Sequence, residues 1–247
     1  LEIDGKYKGL DVDICKAFAA GILGDAKKIQ YRRLTAAERF TAIKTGEIDV
    51  LSRNTTFTLS RDSSGGNGLS FAPVVFYDSQ GIMVKKESNI KNIQDLKHKS
   101  ICVGSGTTTE QNLNDVFESK SIPYTPIKYQ DASQVSAGYL QDRCSAMTSD
   151  RSQLAAARSG FPNPENHIIL ETVLSKEPLS PASEGSDHKL ADALRWIIYT
   201  LNTAEEEGIT KFNIDEKIQL AKENVDLKYL RRFLGIDGSL GEKIGLR

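Results

Sequence analysis

A chain of 247 residues, 39% hydrophobic and 26% charged, is long enough to bury one sizeable core or two smaller ones. Its 32 Lys and Arg against 33 Asp and Glu leave a net charge of -1, so no broad attraction toward nucleic acid or an anionic membrane is available. No apolar run approaches the roughly 18 to 20 residues of a membrane helix, which argues against direct membrane insertion. The chain opens at Leu1 rather than Met, so a processed product is expected and any targeting segment lies outside it.

In chain order, a hydrophilic turn at Asp4-Gly5-Lys6 and then Gly9 precede Leu10, Ile14, Ala17 and Phe18 at helical spacing, which predicts a helix over 10–20. Residues 29–33 are short and β-compatible. Residues 36–45 read as an amphipathic helix ended by Gly46, leading into an apolar strand over 48–52. After Pro73 the alternation recurs, with strands at 81–85, 100–104, 125–129 and 145–149 and helices at 93–96, 109–118, 132–141 and 152–158. Such alternation predicts an α/β fold with mainly parallel sheets flanked by helices. Two helix-rich stretches close the chain, 187–206 and 214–233; Asp187 caps the first and Gly208 ends it. There is no fixed-period repeat and no low-complexity tract.

Three strand ends carry the chemistry. The first runs Arg53-Asn-Thr-Thr-Phe-Thr-Leu-Ser-Arg61, where a buried strand delivers its carboxyl end into a hydroxyl-rich loop with an arginine at each side. A guanidinium fork matches a carboxylate, and hydroxyls and backbone N–H groups satisfy the remaining lone pairs. A polar surface loop with solvated arginines has the same composition. The second is Gly104-Ser-Gly-Thr-Thr-Thr-Glu110, whose small residues open a helix and let N–H groups approach an anion. It lacks the Lys-Ser/Thr ending of a phosphate loop and the third glycine of a dinucleotide loop. An N-capped helix, with Thr107 or Thr108 as cap and Glu110 as its partner, reads equally well. The third is Thr148-Ser149-Asp150, where the acid either accepts hydrogen bonds from an ammonium group or caps the next helix.

Catalytic and metal chemistry have no motif. No histidine follows a nucleophile-elbow pattern, and no spacing singles out a pair of carboxylates. Cys15, Cys102 and Cys144 with His98, His167 and His188 lack the close spacing of a zinc site, so no metal and no cofactor is expected. Taken singly, each cysteine reads as a small buried hydrophobe.

Six segments carry a resemblance over nearly the whole chain: Gly9-Leu-Asp-Val-Asp-Ile-Cys-Lys-Ala-Phe-Ala-Ala20, Leu34-Thr-Ala-Ala-Glu-Arg-Phe-Thr-Ala42, Gly46-Glu-Ile-Asp-Val-Leu-Ser-Arg-Asn-Thr-Thr-Phe-Thr-Leu-Ser-Arg-Asp62, Tyr77-Asp-Ser-Gln-Gly81, Cys102-Val-Gly-Ser-Gly-Thr-Thr-Thr-Glu110 and Ser175-Lys-Glu-Pro-Leu179. In them the chain resembles the periplasmic binding proteins of polar amino-acid ABC transporters, particularly the general L-amino-acid-binding branch. The resemblance implies a type II two-lobed fold, with lobe 1 over 1–82 and 180–247, lobe 2 over 83–179, and crossing strands near 77–85 and 176–179. It implies a free L-amino acid enclosed between the lobes and an ABC permease as partner, in a monomer working outside the cytoplasm. By motif, Arg61 takes the ligand carboxylate with Asn54 and Thr56 beside it. Thr108 reaches the same carboxylate from lobe 2 with Ser105 and Thr107 nearby, and Asp150 takes the ammonium. Arg53, Phe57, Arg39 and Tyr77 are expected at the side-chain end. Relatives extend beyond both ends of this chain, by a first strand and a C-terminal segment. In the resemblance Cys15 pairs with a cysteine on that strand, and Cys102 and Cys144 match a lobe-2 disulfide. An enzyme on the same fold, such as a dehydratase of cyclic acids, and a receptor's ligand-sensing domain are the alternative functions.

Overall fold

The computed structural model describes residues 2–3 and 6–238, so the predicted turn at Asp4-Gly5-Lys6 lies partly, and the end of the 180–247 region from 239 on wholly, outside the described residues. Two compact units are present, Leu1–Arg195 and Trp196–Arg247.

The first unit begins with a two-stranded ribbon, β1 (Glu2–Ile3) and β2 (Lys6–Tyr7). There follow α1 (Leu10–Leu23), α2 (Arg39–Lys44), β3 (Val50–Leu51), α3 (Leu59–Asp62), β4 (Leu69–Phe71) and the ten-residue β5 (Phe76–Lys85). The middle of the chain supplies β6 (Ser100–Gly104), α4 (Thr108–Ser119), β7 (Thr125–Tyr129), α5 (Ala132–Leu140), β8 (Ala146–Asp150), α6 (Arg151–Ser159) and β9 (His167–Ile169). Then come β10 (Ser175–Leu179), β11 (Ala182–Glu184) and α7 (His188–Glu206), which runs to the second unit with α8 (Ile214–Glu223) and α9 (Lys228–Phe233).

The larger sheet has the order β10-β5-β8-β6-β7, with β9 also on β5. β8, β6 and β7 are parallel, as the strand–helix alternation predicts, whereas β5 runs against β8, β9 and β10. Period-two alternation divides its side chains between two cores. Ile82, Val84, Ile101, Val103 and Ala146 meet Leu113 and Phe117 of α4 on one face. Met83, Cys102 and Met147 meet Val135 and Tyr139 of α5 and Leu154 of α6 on the other. A disulfide joins Cys102 to Cys144 there, with Cα atoms 5.6 Å apart, and Cys15 carries a free thiol.

The smaller sheet has the order β3-β11-β4, and both pairings are antiparallel. Leu51, Leu69 and Ala182 pack against Ile43 of α2 with Phe40, Ile48 and Phe71 around them. β11 runs opposite to β3 and β4 because it follows directly on the returning β10. β5 and β10, antiparallel from Phe76↔Leu179 to Gln80↔Ser175, link the 86–174 region to this smaller sheet.

Three local expectations shift. Residues 29–33 join no sheet among the described residues, because β propensity forms a strand only where a partner supplies the ladder. α2 starts at Arg39, since residues 36–38 form a turn in which the Glu38 carboxylate accepts from the Thr35 backbone N–H and hydroxyl. Residues 93–96 form a 3-10 turn with Asn92 as cap. Asp187 does cap α7, accepting from the Leu190 N–H at 2.9 Å.

Candidate functional site

The carboxyl ends of β3, β6 and β8 converge on a cavity of about 100 Å³ in the first unit. Of the expected site residues, Arg39, Arg53, Asn54, Thr56, Thr107, Thr108 and Asp150 line it. Ser105, Phe57, Tyr77 and Arg61 are not among its lining residues. Ser105 is held by its backbone N–H to the Tyr129 carbonyl, and Phe57 stacks on Phe71 with centroids 4.6 Å apart. Tyr77 stands on β5 with its side chain 81% exposed.

The loop after β3 turns sharply at Asn54, whose φ of 41° is left-handed, a conformation asparagine tolerates better than most residues. Its backbone N–H donates to Asp11, and its side-chain amide donates to the Asp150 carboxylate. Asp150 therefore occupies the position preceding α6 without capping it, because its oxygens are turned to the β3 loop instead. Burial lifts its pKa to about 7; the Asn54 bond opposes the rise, the Glu177 and Asp78 charges add to it, and Arg39 opposes it.

At the start of α4 the capped-helix reading holds. Thr107 is the cap, accepting from the Glu110 N–H at 3.1 Å, while the Glu110 carboxylate accepts from the Gly106 N–H at 2.8 Å. That releases Thr108, whose hydroxyl donates to Glu177 at 3.0 Å and lies 3.3 Å from the Thr56 hydroxyl. Glu177 on β10 is 1% exposed and also accepts from Thr56, Asn112 and Ser175. It ties the β3 loop to the start of α4, and the expected site did not include it. The signal available was an acid inside a short strand with apolar burial, within Ser175-Lys-Glu-Pro-Leu179.

Three guanidiniums surround this cluster. Arg61 on α3 is 6% exposed, and its Nη1 donates to the Thr56 carbonyl at 2.7 Å. Arg39 on α2 is 3% exposed, and its Nη1 donates to the Arg53 and Asn54 carbonyls and to the Thr55 hydroxyl. Both lie over the Phe40 ring, at 5.0 and 4.8 Å from its centroid. Burial depresses the pKa of all three, Arg39 to about 9. Among the described residues none of the three makes an ion pair within 4 Å. Gln130, Asp131, Ser136 and Gln153 complete the wall. Gln130 and Asp131 follow β7, next to β6, so the rule that ligands sit at strand carboxyl ends was enough to nominate them.

Residues 2–229 match the bacterial extracellular solute-binding proteins, family 3. The chain belongs to that family. Among family relatives, it is 44% identical to the general L-amino acid-binding periplasmic protein AapJ of Rhizobium johnstonii, across 99% of this chain and 70% of that protein. It is 42% identical to the glutamate/glutamine/aspartate/asparagine-binding protein BztA of Rhodobacter capsulatus, across 99% and 71%. A solved structure of an ABC transporter periplasmic binding protein from Brucella ovis, with glutathione bound, superposes with a TM-score of 0.89 at 40% identity, covering 98% of this chain and 75% of that one. The fold of this family 3 chain is accordingly the type II periplasmic-binding-protein fold. No helix among the described residues is long and apolar enough to cross a membrane.

Proposed function

We propose that this protein captures a free polar L-amino acid in the periplasm and delivers it to the permease of an ABC transporter, without chemical change to the ligand. The names of its relatives support amino-acid binding, and that of the Brucella ovis structure supports the link to an ABC transporter. The observation that carries the reading is the pairing of opposite charges in one cavity: the buried Arg39 and the half-buried Arg53, neither in an ion pair among the described residues, on one side and the desolvated Asp150 on the other. A buried cation lacking a counter-ion is costly, and a zwitterion repays that cost at both ends. The Thr108 backbone N–H takes the α-carboxylate, Arg61 reaches it from behind the Thr56 loop once the lobes close, and Asp150 holds the ammonium. Thr56 and Asn54 support them from the β3 loop, with Thr107 and Ser105 near the same carboxylate. Arg39 and Arg53 face the ligand side chain.

The region 83–179 forms one lobe and the smaller sheet belongs to the other, with β5 and β10 as the hinge strands. Closure follows because the ligand gains contacts from both only when they meet, the sole thermodynamic route to such a shift. Thermal-shift screening of the common amino acids tests the reading, since a ligand selective for the folded state raises the apparent melting temperature. A screen in which no amino acid moves the transition, while calorimetry detects no heat of binding, refutes it.

A further inference from the structure

Across the cavity, the smaller-sheet side and the 83–179 region meet through polar side chains that can turn to other partners: the Asn54 amide donates to Asp150, and the Thr56 hydroxyl lies against that of Thr108. One contact is different in kind. The loop at Gly106 comes so close to Ala37 that a Cβ placed on Gly106 would stand 3.2 Å from both Cα and Cβ of Ala37 and 3.4 Å from its backbone nitrogen. Ala36 and Arg39 on one side and Gly104 and Thr107 on the other line the cavity, so the contact lies at its rim. Gly106 has a φ of 72°, so glycine is required there twice, by the left-handed backbone and by the lack of room for a side chain.

Both partners are braced. The Gly106 N–H donates to the Glu110 carboxylate at 2.8 Å, and Glu110 pairs with Lys128 at 2.7 Å. On either side, the Ser105 N–H donates to the Tyr129 carbonyl and the Thr107 hydroxyl to the Gly104 carbonyl. Ala37 sits in the turn that Glu38 closes by accepting from the Thr35 N–H and hydroxyl, both at 2.8 Å. That turn leads into α2, whose Ile43 packs on the smaller sheet. Hydroxyls and amides rotate, whereas one braced backbone segment resting on another sets a fixed distance.

Resting on the two-lobed amino-acid reading above, we propose that Gly106 and Ala37 form the closure stop of this protein, positioning residues whose contact fixes how far the lobes shut on a bound amino acid. Gly106 and Thr108 belong to the same braced turn, so the stop also sets where the Thr108 N–H arrives at the ligand. A bulkier group at the contact props the lobes apart and withdraws that N–H. It leaves each lobe whole, because both residues are exposed and neither belongs to a hydrophobic core.

Gly106→Asn tests the stop, since asparagine tolerates the left-handed backbone better than most residues but brings a Cβ. Gly46→Asn is the control, at a φ of 73° with nothing within 4 Å of its Cβ position. The radius of gyration is measured by small-angle X-ray scattering with and without saturating L-glutamate, L-glutamine, L-aspartate or L-asparagine, or whichever other common amino acid binds, alongside Kd and the dissociation rate. Wild type and Gly46→Asn are expected to contract on binding. Gly106→Asn contracts less and binds about fivefold to a hundredfold more weakly, the range for forcing a group into a filled contact, with most of the change in the dissociation rate. Ala37→Phe, from the other side of the contact, repeats both effects and decides the matter should Gly106→Asn fail to fold. Full contraction with unaltered affinity in whichever of the two folds overturns the inference and leaves the amino-acid reading standing. So does a wild type that binds without contracting, or a Gly46→Asn control weakened as much as Gly106→Asn. Absence of binding of every common amino acid to the wild type removes the amino-acid reading itself.

Discussion

If Asp150 receives the ligand ammonium, binding must drive a proton off it. Its pKa of about 7 means that near pH 6 about nine-tenths of the free protein carries that proton, and near pH 8 about one-tenth. An ammonium in the cavity stabilises only the ionised form, so binding at pH 6 releases about 0.9 proton and at pH 8 about 0.1. Affinity therefore falls about tenfold for each unit below pH 7 and levels off above it. The sign for stability runs the other way from a usual carboxylate. Because the folded-state pKa is raised, this group's contribution is fully present below the ordinary value of 3.8 and is lost as pH rises through about 7. The ligand-induced rise in melting temperature should consequently be larger at pH 8 than at pH 6. Calorimetry at both pH values, in buffers of different ionisation enthalpy, reads the proton count directly. Other groups near this carboxyl are Asn54, Glu177, Asp78 and Arg39, so Asp150→Asn serves as the control in which the linked release disappears. Tight binding at pH 6 with no proton released, or identical release in that variant, refutes the reasoning.

Arg61→Ala is expected to weaken amino-acid binding by at least about 2 kcal/mol, roughly thirtyfold in Kd, since a desolvated charge loses its partner; unaltered affinity by calorimetry removes Arg61 from the site. Glu177→Ala strands four donors, Thr56, Thr108, Asn112 and Ser175, and should lower folding stability by about 2 to 4 kcal/mol in urea denaturation. An unchanged midpoint contradicts its role as the tie between β10, the β3 loop and α4. Replacing Cys102 and Cys144 by Ala opens a loop of sequence separation 42, worth up to about 4 kcal/mol in the chain-entropy account. The loss should show as a lower melting temperature that reducing agent reproduces in the wild type.

Much of this molecule was legible in its residues because the relevant physics is local. Continuous apolar runs in 81–85 and 100–104 announce strands buried on both faces, and these became Ile82 and Val84 against Met83, and Ile101 and Val103 against Cys102. Thr107 with Glu110 spells a helix start, and Asp187 another. Polar loops at strand ends nominated the segments 53–61, 104–110 and 148–150, and Asn54, Thr56, Thr108 and Asp150 from them line the cavity. Tertiary structure alone decided what those side chains meet. That Asp150 turns to Asn54 rather than to its own helix, and that Glu177 gathers hydroxyls from segments over a hundred positions apart in sequence, depends on packing that no local pattern encodes. Whether residues 29–33 join a ladder, and which way β11 runs, likewise depend on partners distant in sequence. Charge state follows the same division: the sequence names the arginines, but burial and the company of other charges determine how far the pKa of each is depressed.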